Sequence, residues 1–295
     1  MTTTEERGIL SAADWRRPRV RRSMRATHVV LLAVLVLLGL GPVLWLAKSA
    51  ITPTQDTLRH PLELFPHGMD WANLATAWTR VKISHFFTNT VIIAAGSWVC
   101  QMVVATTGGY ALSVLRPKYG KVVYWLVLST LFVPAVVLLV PLYLTILHPP
   151  LVGHSLLNSF WAVWLPAGAS AFNVVLVQRF FDSLPREIFE AAKVDGAGPG
   201  RMFVSIVLPM SKPILGVVSV FAVLAAWKDF LWPLLVLPDP VHQPLSVRLP
   251  ALASYIELDV FLAALAISTA IPIVLFLVFQ RMFLRGAGLS GAIKG

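Results

Sequence analysis

The sequence predicts an all-α membrane protein with six transmembrane helices, on three observations. Hydrophobic residues make up 57% of the 295 residues, charged residues make up only 13%, and the mean hydropathy is +0.76. These values lie far from those of soluble globular domains. The apolar residues form runs long enough to cross a bilayer, and the basic residues are concentrated between alternate runs.

Six apolar runs supply the predicted helices. The first run is longer than the apolar core of a secretory signal peptide, so we interpret it as an uncleaved membrane helix. Prolines inside later runs are compatible with membrane helices, because neighbouring groups can satisfy the freed carbonyls. We also expect a short amphipathic helix around 71–78 in the first external segment. The predicted spans are 29–47, 86–115, 122–147, 156–177, 214–237 and 261–284.

The distribution of Lys and Arg predicts the orientation. With the amino terminus inside, the inner segments hold eighteen of these residues and the outer segments hold five. This asymmetry places both termini and the 179–213 loop in the cytoplasm. It also explains the net charge of +10 by membrane insertion rather than by nucleic-acid binding. We therefore expect a disordered basic cytoplasmic tail over 1–28, a multi-pass transmembrane domain over 29–285 in the cytoplasmic (inner) membrane, and a cytoplasmic tail over 286–295.

The stretch 184–213 is the longest charged segment within the apolar chain, and it predicts two short helices joined by a sharp turn. Asp182 or Ser183 is placed to cap the first helix. Gly196 supplies a left-handed stop, and Pro209 is expected to end the second helix. A compact helical hairpin held against the membrane is typical of a docking surface. Its first helix is predicted to present one narrow face of small and apolar groups, formed by Ile188, Ala191, Ala192 and Asp195.

The same segment carries a recognisable motif. Its residues are Glu190-Ala191-Ala192, Asp195-Gly196-Ala197, Phe203, Ile206, Leu208-Pro209 and Lys212-Pro213. At this spacing they resemble the EAA loop of ABC importer permeases, between the fourth and fifth membrane helices. In that family the loop is the coupling helix, which docks into a groove on a cytoplasmic ATPase. The resemblance implies an ATPase-coupling role for Glu190, Ala191, Ala192, Asp195, Gly196 and Ala197.

Further motifs extend the resemblance over most of the chain. They are Gly109-Tyr110-Ala111-Leu112, Pro134 with Pro141-Leu142-Tyr143, Phe180 with Leu184-Pro185, Trp227 with Asp229-Phe230-Leu231 and Pro233, and Gly291-Ala292 with Lys294-Gly295. They are similar to the carbohydrate permeases of the maltose-type family, and the chain is most similar to the smaller, MalG-like subunit. The resemblance implies a heterodimer with a second permease, two ATP-binding subunits and an extracytoplasmic solute-binding protein. It implies that ATP is used by the partner ATPase, with no cofactor bound by this chain.

The sequence shows no pattern for catalysis or metal binding. It lacks a GxxxxGK[ST] loop, and the glycines at 196–200 lack the GxGxxG spacing and are interpreted as a turn. None of the seven histidines has HExxH spacing, and we interpret His148 and His154 as solvated. The single Cys100 excludes an intrachain disulfide and a CxxC site. We predict neither enzymatic activity nor a metal site.

Two adjacent charges, Lys228 and Asp229, lie inside the fifth apolar run. Such charges either line a solute path or extend to the membrane surface, and both alternatives remain open. Neighbours on a helix point about 100° apart, so they cannot both line one path. The family usually has Asn where this chain has Lys228. Asn158 and Asn173 in the fourth run are further path candidates, with helix packing as the alternative.

These observations predict an ABC importer permease that carries a sugar or oligosaccharide by alternating access. The loop motif is shared with permeases for polyamines, phosphonates and other small solutes, which form the first alternative. A membrane enzyme, such as a lipid-modifying one, and a channel or passive scaffold are the alternatives from other classes.

Overall fold

The chain folds as a bundle of helices, described by a computed structural model over residues 18–288 apart from 64, 66 and 151. These described residues contain no β-strand, which confirms the all-α prediction. The helices are α1 Pro18–Ser49, α2 Thr54–Arg59, α3 Ala72–Thr79, α4 Ile83–Tyr110, α5 Gly120–Thr130, α6 Ala135–Leu147, α7 Trp161–Gly168, α8 Ala171–Asp182, α9 Arg186–Val194, α10 Pro199–Met210, α11 Lys212–Lys228, α12 Leu231–Val236, α13 Leu245–Leu252 and α14 Leu258–Gly288.

The apolar runs are more broken than the sequence predicted. Among the described residues, Arg22–Ser49 and Ile83–Leu115 are long and apolar enough to cross a membrane unaided. Up to five spans result if the bent pairs α5–α6, α7–α8 and α10–α11 each count as one, and their bends are 109°, 43° and 80°. α14 contributes a shorter apolar stretch, Leu258–Val274. The six-span count therefore stays a prediction.

Three predicted spans were wrong as single helices, and one of them is the run 156–177, which is divided between α7 and α8. The run 122–147 breaks because Pro134 has an extended backbone and begins α6, as expected for a residue that cannot donate a hydrogen bond to the preceding turn. Pro141 stays inside α6, as predicted. The run 214–237 stops at Lys228, and α12 starts only at Leu231.

The amino-terminal tail is shorter than predicted. Residues 18–28 are helical and continue into α1, so the expectation of disorder is wrong there. Residues 1–17 and 289–295, which hold the rest of the two predicted tails, lie outside the described residues. The short amphipathic helix expected around 71–78 is confirmed as α3.

Helix α4 is the centre of the bundle and packs against α7, α8 and α11. Two glycines allow the close approach. A Cβ at Gly96 would overlap the ring of Trp164 on α7. A Cβ at Gly109 would lie 3.0 Å from Val177 and 3.1 Å from the backbone nitrogen of Gln178 on α8. The absence of a side chain at Gly109 therefore lets α8 approach α4 closely.

Two buried clusters hold the ends of the bundle. The first, here named the coupling core, joins α4, α8 and α11 to the 184–213 loop through Ala105, Tyr110, Val174, Val177, Phe181, Leu184, Phe189, Ala192, Met202, Val207 and Val218. The second, the terminal core, joins the segment after α1 to α13 and α14 through Ala50, Ala77, Ile83, Phe86, Leu245, Leu249, Val260, Ala263 and Ala264. Helix α1 contacts α14, but its most apolar stretch is wholly unburied.

Candidate coupling surface and solute cavity

Helix α9 carries the motif predicted to couple to an ATPase, and it begins differently from the prediction. Pro185 occupies the N-cap position, where no side chain makes a capping hydrogen bond. Asp182, predicted as a possible cap, instead ends α8 and pairs with arginines. Ser183 donates its hydroxyl to the Phe180 carbonyl behind it. The rigid φ of Pro185 suits a helix start without that cap.

The two sides of α9 have opposite environments. Phe189 and Ala192 are 3% and 8% exposed and belong to the coupling core. Glu190 and Ala191 are exposed, and Val194 is 88% exposed. The predicted narrow face is therefore wrong as a unit, because Phe189 offers more apolar area to bury than the alanines do. The open side of α9, formed by Glu190, Ala191, Val194 and Asp195, is here named the coupling surface.

Polar contacts fix the start of α9 to the end of α4. Arg186 donates to the Ser113 carbonyl at 3.3 Å and lies 3.5 Å from the Asp182 carboxylate. That carboxylate also accepts from the Ser113 hydroxyl at 2.8 Å and from Gln178, and it pairs with Arg116 at 3.4 Å. One carboxylate therefore joins the end of α8 to the start of α9 and to the π-helical segment Ala111–Leu115 that continues α4.

A second set of contacts fixes α10. The Tyr110 hydroxyl donates to the Pro199 carbonyl at 2.9 Å, and its ring lies 5.0 Å from that of Phe203. Helix α10 was predicted to end at Pro209, but it continues to Met210. The segment Phe203–Val207 just before it is π-helical. A wider turn at that point gives the proline ring room against the preceding carbonyls.

The turn between α9 and α10 depends on Gly196. Its φ is +75°, the left-handed conformation that was predicted, and nothing lies within 4 Å of its added Cβ position. Glycine is therefore favoured at position 196 by the backbone conformation and not by a lack of space for a side chain. Asp195 and Gly196 are exposed, whereas Ala197 is half-buried against the coupling core. The structure thus divides the six predicted coupling residues into an exposed group and two alanines, Ala192 and Ala197, that face the chain's own interior.

A cavity of about 250 Å³ lies between α4, α7 and the break after α11. Its polar lining comes from Ser97, Gln101 and Asp229, and its aromatic lining comes from Trp232. The Trp232 indole donates to the Ala162 carbonyl at 2.9 Å, which holds the ring in place. The remaining lining is small or apolar and consists of Val163, Pro166, Ala167, Ala225 and Ala226.

Buried polar atoms beside this cavity lack partners. Asn173 donates to the Gln101 side-chain oxygen at 2.6 Å, and both residues are buried. The Asn173 side-chain oxygen and the Ser97 hydroxyl have no hydrogen-bond partner within the described part of the chain. A buried polar group without a partner is costly unless something else binds it. Of the two residues, only Ser97 lines the cavity.

The four predicted path residues have different positions. Asp229 lines the cavity and lies outside the helix, with an extended backbone whose carbonyl accepts from Ser246 at 2.6 Å. Asn173 reaches the cavity through Gln101. Lys228 is the last residue of α11, is exposed and is absent from the lining. Asn158 has a φ of +58° and ties its loop to Val236 and Asp239, a packing role.

Two sets of polar side chains that the fold brings together were not predicted from the sequence. Ser97 and Gln101 drew no attention because single polar residues in an apolar helix give no periodic signal. Asp56, His60 and His67 place their ligand atoms within 4.8 Å of one another, although their spacing matches no HExxH pattern. The only sequence signal was the density of His and acidic residues over 56–67.

Several known proteins are similar to this chain in sequence, and one solved structure is similar to it in fold. A model of the family described as binding-protein-dependent transport system inner membrane component matches residues 104–287. The chain is 32% identical over 284 residues to the probable ABC transporter permease protein YurM of Bacillus subtilis, covering 95% of this chain and 92% of that protein. It is 30% identical to the diacetylchitobiose uptake system permease protein NgcG of Streptomyces coelicolor, covering 88% and 86%.

A solved structure supports the fold. The chain is similar to a bacterial ABC transporter involved in the import of the acidic polysaccharide alginate, with a TM-score of 0.78 and 21% identity, covering 93% of this chain and 99% of that chain. The family model spans more than half of the present sequence, and YurM aligns along nearly all of it. The chain therefore belongs to the family of binding-protein-dependent transport system inner membrane components, and it is an ABC transporter permease rather than an enzyme.

Proposed function

We propose that this chain forms half of the translocation path for a sugar or oligosaccharide, driven by two ATP-binding subunits that dock on the coupling surface. The observation that carries the proposal is the two-sided environment of α9. Its exposed side offers Glu190, Ala191 and Val194 to a partner, and its buried side belongs to the core shared with α4, α8 and α11. A force applied to the exposed side therefore reaches the membrane helices.

Movement of α9 as a rigid body would carry the cavity-lining helices with it. Helix α4 bears Ser97 and Gln101 in the cavity, and its π-helical continuation, Ala111–Leu115, bears Ser113 at the Arg186 contact. ATP-driven approach of the two ATPase subunits would thus shift α4 and α11 together and switch the path between inward-open and outward-open. The second permease would supply the other half of the path, and a loaded extracytoplasmic binding protein would deliver the solute.

The cavity favours a polyhydroxylated solute. It combines a hydroxyl, an amide, a carboxylate and one indole ring, and its lining has no Lys or Arg among the residues that the structure describes. Sugars suit such groups because each hydroxyl both donates and accepts hydrogen bonds. Similar permeases include one for diacetylchitobiose uptake and one for melibiose, raffinose and stachyose import. Others belong to sn-glycerol-3-phosphate transport, whose anionic phosphate finds no cation in this lining.

A cationic solute such as a polyamine is the second candidate, and Asp229 is the observation that favours it. Reconstituted transporter separates the two. We expect the binding protein loaded with a neutral oligosaccharide to stimulate ATP hydrolysis, and spermidine or putrescine to leave it unchanged. The opposite result would assign the path to polyamines.

Charge reversal on the coupling surface tests the proposal directly. Glu190→Arg should prevent the ATPase subunits from co-purifying, or abolish solute-stimulated hydrolysis, because truncating or reversing an interface charge costs about 2–5 kcal/mol. The matched control is Glu257→Arg, an exposed carboxylate just before α14 on the predicted outer face. Normal coupling in Glu190→Arg would remove the coupling role from this surface.

Cysteine labelling tests the proposed orientation. In a Cys100→Ser background, Val194→Cys and Leu62→Cys place thiols at residues that are 88% and 89% exposed. A membrane-impermeant reagent should reach position 194 only from the cytoplasmic side and position 62 only from outside. Labelling of both positions from one side would contradict the predicted topology.

A further inference from the structure

A cluster of imidazole and carboxylate groups lies in the loop between α1 and α3, apart from the coupling surface and the cavity. Asp56 comes from α2, and His60, Glu63 and His67 come from the following segment. The ligand atoms of Asp56, His60 and His67 all lie within 4.8 Å of one another. The Glu63 carboxylate lies 3.1 Å from His60 Nδ1 and 3.2 Å from His67 Nδ1. Four metal-ligating side chains thus converge from a span of twelve residues, 56–67.

The spacing of these atoms suits a small tetrahedral ion. His67 Nδ1 and Asp56 Oδ1 are 3.0 Å apart. An ion with bonds of about 2.0 Å holds tetrahedral ligand atoms about 3.3 Å apart. The third ligand, on His60, needs to close by at most about 1.5 Å, since its present separations do not exceed 4.8 Å. The His60 and His67 rings already lie with centroids 4.9 Å apart.

The charge of the cluster also suits a divalent cation. Two carboxylates balance two positive charges, and two imidazoles complete the set. The pKa of Asp56 is lowered from 3.8, chiefly because the His67 backbone N–H donates to its Oδ2 at 3.0 Å. The same backbone N–H fixes the position of this carboxylate beside the His67 ring.

We propose that Asp56, His60 and His67 bind a Zn²⁺ ion in the loop after α1, with the Glu63 carboxylate beside both imidazoles. Mixed nitrogen and oxygen ligands favour zinc over the hard cations Ca²⁺ and Mg²⁺, which take oxygen ligands almost exclusively. The site is independent of the proposed transport function, since none of its residues lines the cavity or the coupling surface.

The ion would close a loop that is already tied to two long helices. The Trp45 indole on α1 donates to the Pro61 carbonyl at 2.6 Å. The Asp70 N–H donates to the Ile51 carbonyl at 2.7 Å, and the Asp259 N–H of α14 donates to the Thr54 hydroxyl at 3.2 Å. Zinc would join α2 to the segment between these ties. Bound Zn²⁺ should therefore slow amide hydrogen exchange over 56–67 in particular.

Direct titration tests the site. The full chain, without a polyhistidine tag and embedded in nanodiscs, is titrated with Zn²⁺ against a chromophoric chelator. We expect one tightly bound ion, and His60→Ala/His67→Ala should weaken its affinity by about tenfold or more. Binding should also weaken at acidic pH, because protons compete with the metal for its ligands. Co²⁺ in the same site should give visible absorption of tetrahedral intensity.

His148→Ala/His154→Ala is the matched control, because it removes two exposed histidines from another loop. It should leave the affinity unchanged. The proposal is overturned if wild type binds Zn²⁺ no more tightly than His60→Ala/His67→Ala, which would leave the cluster as an ion pair of protonated histidines. It is equally overturned if the affinity falls with His148 and His154 instead.

Discussion

At the proposed coupling surface, exposed side chains lie on a helix whose other side is packed, whereas in the candidate solute cavity one polar lining group, the Ser97 hydroxyl, has no partner in the described chain. Helix α9 exposes Glu190 and Val194 while Phe189 lies in the coupling core. Beside the cavity, Ser97 is fully buried and its hydroxyl has no partner in the described chain. Buried unpaired atoms also occur near the coupling core, at Gln178 Oε1 and Ser211 Oγ, so the contrast lies in the apolar packing behind α9.

The difference agrees with the roles proposed for the two regions. A surface that transmits movement must not deform, so its rear contacts are apolar packing and ion pairs such as Asp182 with Arg186. A site that a solute occupies and leaves cannot satisfy all its polar groups internally, because the solute must supply the missing partners. Substitutions should therefore affect coupling and stability in the first region, and solute affinity in the second.

Phe189→Ala should have the largest effect, because it empties a buried position that joins α9 to three membrane helices. Truncation of a buried Phe typically lowers the free energy of unfolding by about 3–5 kcal/mol. We expect a lower thermal transition of the detergent-solubilised chain and ATP hydrolysis that no longer responds to the loaded binding protein. Phe132→Ala, at a residue 83% exposed, is the control and should leave the transition unchanged. Equal thermal transition temperatures in the two variants would show that Phe189 does not anchor α9 in the coupling core.

Asp229→Asn should act on the cavity alone. Loss of a charged hydrogen-bonding partner costs about 1.5–3 kcal/mol, which raises the solute concentration for half-maximal uptake about tenfold or more. Lys228→Asn, one residue earlier, should be silent because Lys228 does not line the cavity. Uptake measured in proteoliposomes compares the two. A larger effect from Lys228→Asn would contradict the placement of the path.

Gly196→Val tests the rigid region through the backbone. A β-branched residue at a φ of +75° costs about 1–2 kcal/mol or more, and the turn between α9 and α10 should shift to relieve it. We expect reduced recovery of the ATPase subunit on co-purification. Gly198→Val introduces the same side chain two residues later, at a φ of −69°, and should be tolerated. Indistinguishable recovery from the two variants would mean that the turn does not position α9.

Ser97→Ala should have the smallest effect and the most specific one. Its hydroxyl has no partner in the described chain, so its removal should not lower the free energy of unfolding, while solute affinity falls about fivefold. Thr90, also fully buried on α4, accepts from the Leu245 N–H at 2.9 Å. Thr90→Val should therefore lower stability by about 1–3 kcal/mol and leave affinity unchanged. Reversal of this pattern would contradict the contrast between packed and unpaired groups.

The coupling loop was largely predictable from sequence because its signals are local. Charges, prolines and Gly196 follow one another within thirty residues, 184–213, and each constrains its own backbone. The orientation of α9 was not predictable in the same way. A count of small residues favoured the face with Ala191, whereas packing against α4 and α8 selected Phe189.

The cavity and the histidine cluster depend on tertiary structure. Hydropathy averages over a window of residues, so an apolar run containing Asp229 still predicts one continuous helix. The break appears only where Ser246 holds the Asp229 carbonyl outside the helical pattern. Likewise, Asp56 and His67 are eleven residues apart, and only the folded loop brings their side chains to 3.0 Å.

The terminal core has a consequence for the order in which the chain is built. It joins Ala50, just after the first long helix, to Val260, Ala263 and Ala264 on the last one. Ile83 and Phe86, on α4, fill the space between them. During synthesis these early residues must wait, unpaired, until nearly the whole chain has left the ribosome. This end of the bundle therefore packs late in synthesis. A chain that stops before α14 should leave the apolar residues of the terminal core exposed, and membrane quality-control proteases should recognise them.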